Sequence, residues 1–153
     1  ILFYQNFIQE KSEEADDVNN STGKTLTISE WNLEGTYDGE TALKYEVISG
    51  GGDFGRYGNI TGDHLLIYSD KIGAFGASES TGANGCDNSI GDIIRTPDSS
   101  EANSVNPWHI GNYYYTYVAP QSYCTDESGE TLSNISEVLS SMREFFDSAK
   151  SIE

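Results

Sequence analysis

Gly111-Asn-Tyr-Tyr-Tyr-Thr-Tyr-Val118 is the stretch on which the fold turns. In an extended chain successive side chains point to opposite faces. Tyr113, Tyr115 and Tyr117 therefore share one face, and Tyr114, Thr116 and Val118 the other. Aromatic and β-branched residues suit a pleated, half-buried surface, so the segment reads as a strand, and the chain around it must supply partners.

Those partners are visible toward the N-terminus. In Thr25-Leu-Thr-Ile-Ser-Glu-Trp31, Leu26 and Ile28 alternate with polar residues, the pattern of a half-buried strand that continues past a bulge to Tyr37. Asp38-Gly39 suits a tight hairpin turn, and Ala42 to Ile48 reads as the return strand with Leu43, Tyr45 and Val47 on one face. Ser49 to Gly55 holds four glycines and reads as a loop. His64-Leu-Leu-Ile-Tyr-Ser69 is a third strand, buried more evenly, and Ile72 to Phe75 a short edge piece. Ile90 to Arg95 fits either a short strand or a turn of helix. Pro97 to Pro107 is a polar connection.

Two segments carry a helical period instead. Tyr4, Phe7, Ile8, Ala15 and Val18 form a rough stripe, so residues 1 to about 16 are expected to be helical, continuing from a hydrophobic anchor upstream of Ile1. Near the other end, Leu132, Ile135, Val138, Leu139, Met142, Phe145, Phe146, Ala149 and Ile152 follow three-and-four spacing, which predicts an amphipathic helix over 130–152. Arg143 and Asp147 are spaced for an i,i+4 pair. The expected fold is α+β in one domain, residues 1–153: an N-terminal helix, an antiparallel sheet of four to six strands over 24–124, and a C-terminal helix.

Eight basic residues against twenty-five acidic ones give a formal charge of −17. Such a field repels phosphate backbones and anionic lipid, which argues against nucleic acid and peripheral membrane binding. High solubility is the plain explanation; a salty habitat or a divalent-cation partner are the sharper ones. Ten Tyr, six Phe and two Trp supply core material that a disordered chain lacks. No run within the sequence approaches the roughly 18 apolar residues of a membrane span.

Cys86 and Cys124 are the only cysteines. In an acidic chain of extracellular character two cysteines most simply form one disulfide, worth about 4 kcal/mol on the chain-entropy account; two buried free thiols are the alternative. No metal site is expected, because His64 and His109 lack ligand spacing. Asn19, Asn20, Asn59 and Asn134 each open an Asn-x-Ser/Thr sequon and are candidate glycosylation sites.

Evidence for catalysis is thin. Asp63-His64 is the one acid beside a histidine, with no nucleophile elbow or poised cysteine to accompany it. Gly50-Gly51-Gly52 and Gly55-Arg-Tyr-Gly58 lack the Lys-Ser/Thr of a phosphate loop. Asp17-Val-Asn19-Asn-Ser21 lacks the glycine and distal Glu of an EF-hand. No enzyme activity and no cofactor are expected. An exposed tyrosine row could bind sugar, pack between subunits or form an adhesive surface.

Tyr4-Gln5-Asn6-Phe7-Ile8-Gln9 resembles the segment just past the membrane half of the N-terminal helix in type IV pilins and pseudopilins. The match spans about six residues. The resemblance implies a non-enzymatic, extracellular or cell-surface filament subunit whose partners are copies of itself or related subunits. It implies that Ile1, Leu2, Phe3, Tyr4, Phe7 and Ile8 bury against neighbouring helices or lipid, and that membrane contact is made only through a helix preceding Ile1. A long helix after the second cysteine departs from the pilin pattern. The alternative is an extracytoplasmic sensor or ligand-binding domain in which Ser133 to Glu153 forms a helical stalk leading to a second membrane span. A small secreted enzyme or lipocalin-like binder, suggested by Trp31-Asn-Leu-Glu-Gly-Thr-Tyr37, is the third.

Overall fold

The computed structural model describes residues 23–54, 58–71, 90–97, 107–120 and 130–152. The chain enters as β1 (Lys24–Ile28), turns through a short 3₁₀ segment (Ser29–Trp31) and returns as β2 (Leu33–Tyr37). The two pair antiparallel, from Lys24 opposite Tyr37 to Ile28 opposite Leu33. Asn32 closes the turn in the left-handed region, φ 50°, a conformation asparagine tolerates better than most residues. This corrects the expected bulge: at Trp31 the chain reverses completely.

That reversal changes everything downstream. The β3 strand (Leu43–Ile48) does not pair with β2, so Asp38-Gly39 is a passage between sheets and not a hairpin turn. In a five-stranded antiparallel sheet, β3 lies beside β6 (His64–Ser69), followed by β7 (Asp92–Pro97), β9 (Tyr113–Val118) and β8 (Trp108–Ile110). Between β3 and β6, β4 (Gly52–Asp53), inside the stretch 49–55 read as loop, pairs with β5 (Asn59–Ile60) beyond it to form a two-stranded ribbon.

β8 was hidden in the sequence behind the polar connection before it. Its hairpin to β9 places Ile110 opposite Tyr113 across Gly111-Asn112, and Gly111 takes φ 59°. A two-residue turn of this kind needs positive φ, which glycine supplies without steric cost.

The helix α1 (Glu130–Ser148) forms as the apolar period predicts, but it stops short of 152. The chain then turns into β10 (Lys150–Ser151), which pairs with Glu34 and Leu33 on the free side of β2. The small sheet therefore has the order β1-β2-β10, with strands from both ends of the described chain flanking β2.

These findings overturn the α+β expectation of one sheet between two helices. The described residues are mostly β, in three antiparallel sheets, with one α-helix among them. The helix expected over 1–16 lies outside the described residues, as does the edge piece 72–75.

One face of the large sheet is set by register. Tyr45 lies opposite Ile67, Val47 opposite Leu65, Leu65 opposite Ile93, and Ile93 opposite Tyr117. The stripe of α1 packs into the same core: Ile135, Val138, Met142, Phe145 and Phe146 are all buried with Ile28, Trp31, Leu33, Leu65, Ile67 and Tyr115. Each such side chain is worth about 1.5–3 kcal/mol when removed from water. Leu132, the first member of the stripe, is 50 % exposed and lies beyond this contact.

Polar groups of α1 hold the passage between the sheets. The Thr36 N–H donates to Ser148 Oγ at 2.7 Å, and the same hydroxyl lies 2.9 Å from the Thr36 carbonyl oxygen. The Asp38 N–H donates to Glu144 Oε2 at 2.8 Å and the Thr41 N–H to Glu137 Oε1 at 2.9 Å. Lys71 approaches the other oxygen of Glu137 at 3.3 Å. The hydrogen bond from Thr41, aided by Lys71, holds the Glu137 carboxyl below its ordinary pKa. Across the passage, the Leu43 N–H at the start of β3 donates to the buried Tyr37 hydroxyl at the end of β2 at 2.8 Å.

Gly35 sets how closely α1 approaches β2. A Cβ there would lie 2.6 Å from the Phe145 carbonyl oxygen and 2.8 Å from its ring. Backbone and a fully buried ring cannot both give way, so Gly35→Ala is expected to lower stability by about 1–3 kcal/mol, the usual cost of overpacking. Chemical denaturation checks it; an unchanged midpoint would mean that the helix does not seat on β2 at this distance.

Candidate functional site

The site begins with the register of β7 on β9. Arg95 lies opposite Tyr115, and Tyr113 is two residues along on the same face. The Arg95 guanidinium carbon sits 4.8 Å from the Trp31 ring centre and 4.5 Å from that of Tyr113, so the cation lies against two aromatic rings. Such contacts are worth about 0.5–2 kcal/mol each, depending on desolvation. Trp31 packs on Tyr115 with ring centres 5.6 Å apart. Burial pushes the Tyr115 hydroxyl above its ordinary pKa, while the charge and hydrogen bond of Arg95 pull the other way.

Arg95 and Tyr113 form one wall of a recess of about 350 Å³ at this end of the sheet. The recess is also lined by Asn59 of β5, by Thr61 and Asp63 of the β5–β6 connection, and by Thr96 and Pro97. Tyr113 keeps 36 % of its surface exposed. None of the ion pairs among the described residues involves Arg95. Its guanidinium is held against the two rings and by a hydrogen bond to Tyr115, and the residue lines the recess.

His64 follows directly in the chain. It is buried, with Phe54 of the β4–β5 ribbon edge-on to its ring at 5.2 Å. Its Nε2 lies 3.6 Å from Asp92 Oδ1, beyond hydrogen-bond length, and its Nδ1 has no hydrogen-bond partner among the described residues. Burial lowers the imidazole pKa from its ordinary 6.5, with the nearby Asp63 charge opposing it. Desolvation wins because the closest carboxylate contact is too long for a charge-assisted hydrogen bond.

A second, more open groove runs between Asp38, Glu40, Glu137, Ser140 and Glu144 on the acidic side of α1. Glu137 and Glu144 already accept the backbone donors that hold the inter-sheet passage, which accounts for their positions. No group of three or more potential metal ligands occurs among the described residues.

The sequence candidates scatter. Ile1, Leu2, Phe3, Tyr4, Phe7 and Ile8, together with Asn19, Asn20, Cys86 and Cys124, lie outside the described residues. Asn59 is exposed in β5 at the rim of the recess, whereas Asn134 is half-buried within α1. Asp147, spaced for Arg143, accepts a hydrogen bond from Trp108 Nε1 at 2.8 Å, and Trp108 stacks on Phe146 at 4.8 Å. In the sequence Arg95 marks only the end of the Ile90 to Arg95 segment. Its signal was a lone cation at the end of an apolar run, two residues before a proline, but its aromatic partners come from elements far apart in the chain.

No protein family, curated protein or solved structure matches this chain. Among the described residues no helix is long and apolar enough to cross a membrane.

Because the fold weakens proton binding at His64, the unfolded chain takes up that proton first. Stability from this group is intact well above pH 6.5 and is lost as pH falls from there toward the folded-state midpoint. An NMR titration should place the His64 midpoint below 6.5. A midpoint above 6.5 would mean that Asp92 and Asp63 outweigh burial.

Proposed function

We propose that this chain is a non-enzymatic cell-surface subunit, pilin-like in its attachment, joined to its assembly through the apolar opening segment Ile1, Leu2, Phe3, Tyr4, Phe7 and Ile8. The observation that carries this reading is the fate of α1. A sensor that passes motion to a second membrane span needs a terminal helix free to move along its axis. Here the helix stripe is buried within its own domain, its polar side chains are hydrogen-bonded to the sheet passage, and the chain leaves it to pair as β10. This arrangement favours a rigid body over a transmitting stalk.

The proposed disulfide is consistent with the same rigid body. Asp92 pairs with Val118 at the end of the β7–β9 ladder. Cys86 lies six residues before Asp92 and Cys124 six residues after Val118, so the two chains leave the ladder side by side with equal lengths to each thiol. Bridging them closes a short loop beyond an existing pair, which needs little further ordering.

The test is incorporation in the native cells. Replacing Phe7 and Ile8 together by Asp is expected to abolish recovery of the chain in sheared surface filaments while leaving the thermal unfolding of the purified domain unchanged. Undiminished recovery of the double variant in that fraction would refute the assembly role of this segment.

A further inference from the structure

The recess beside Arg95 has a composition that selects its ligand. We propose that it binds a carboxylated sugar, a hexuronate free or at the end of a glycan. Arg95 pairs with the carboxylate, the exposed surface of Tyr113 packs on the pyranose ring, and Asn59, Thr61 and Asp63 exchange hydrogen bonds with the hydroxyls.

Four observations lead there. A planar guanidinium matches a carboxylate with two parallel hydrogen bonds, and Arg95 is already fixed in place by Trp31 and Tyr113 without an acid partner among the ion pairs of the described residues. Pre-ordering of that kind reduces what binding must spend on immobilising a long side chain. Tyr113 lines the recess and remains 36 % exposed, so it offers an amphipathic ring surface to a partly apolar ligand. Its volume, about 350 Å³, falls at the small end of the roughly 300–1,000 Å³ range of ligand sites, suited to one sugar ring.

The remaining wall narrows the class. Asp63 and a chain charge of −17 oppose a phosphate dianion, whereas a singly charged carboxylate bearing hydroxyls can use Asp63 as an acceptor. A neutral sugar would offer Arg95 no charge to pair with. A cationic ligand would meet Arg95 itself. The site is independent of the assembly proposed above, since none of its residues lies in the opening segment.

Protein made without glycosylation, so that Asn59 is unmodified, is titrated with glucuronate, glucose and inorganic phosphate while backbone amides 59–63 and the Arg95 Nε–H are followed by NMR. Glucuronate should produce saturable shifts at both places, and glucose and phosphate should bind about tenfold more weakly or not at all. Arg95→Gln should remove the glucuronate shifts. Thr61→Val, on the rim and away from the aromatic cluster, should weaken binding by about threefold to tenfold with an unchanged melting temperature. A uronate-terminated oligosaccharide binding more tightly than glucuronate identifies the glycan end as the source; equal affinity identifies the free sugar acid. Absence of saturation with glucuronate, glucose binding as tightly as glucuronate, or phosphate doing so would each overturn the proposal.

Discussion

The fold depends on how α1 is fastened to the passage between its two larger sheets. β2 belongs to the small sheet and β3 to the large one, and only residues 38–42 connect them. A connection that changes sheets has no ladder of its own, so its amides need other acceptors. Glu144 and Glu137 supply acceptors for Asp38 and Thr41, and Ser148, further along the same side of α1, holds Thr36 near the end of β2. Below them the apolar stripe of the helix enters the shared core. Hydrogen bonds to carboxylates are stronger than neutral ones, and here they fix the helix in register as well as in contact. Gly35 permits the approach by leaving room for Phe145.

Local pattern made much of this legible. Strands β1, β3, β6 and β9 follow from alternation or from even burial, and α1 follows from its three-and-four period. What could not be read was which strands pair. Trp31-Asn32 looked like a bulge because Trp continues an apolar alternation; the left-handed Asn32 makes it a reversal. Asp38-Gly39 has the composition of a hairpin turn, yet its amide is taken by Glu144, more than a hundred residues away. The last apolar positions of the helix pattern, Ala149 and Ile152, lie beyond the helix end, because β2 offers an unpaired edge that captures Lys150 and Ser151. Local propensity yielded in each case to a long-range contact.

The site was less legible than the fold for the same reason. Arg95 gains its character from Trp31, Tyr113 and Tyr115, which register and the β1–β2 reversal bring to it. The tyrosine strand, conspicuous in the sequence, divides its labour: Tyr115 is buried in the core while Tyr113 faces the recess. The proposed attachment and the proposed ligand recess rest on different residues and can be judged separately.

Hydrogen exchange at the inter-sheet passage tests the central claim most directly. If α1 fastens the two sheets together, the amides of Asp38 and Thr41 should exchange only through the same global opening that exposes the Met142 and Phe145 amides of the helix. Near-free exchange at Asp38 and Thr41, beside full protection of the helix, would contradict it and leave the passage a loose connection between independently stable sheets.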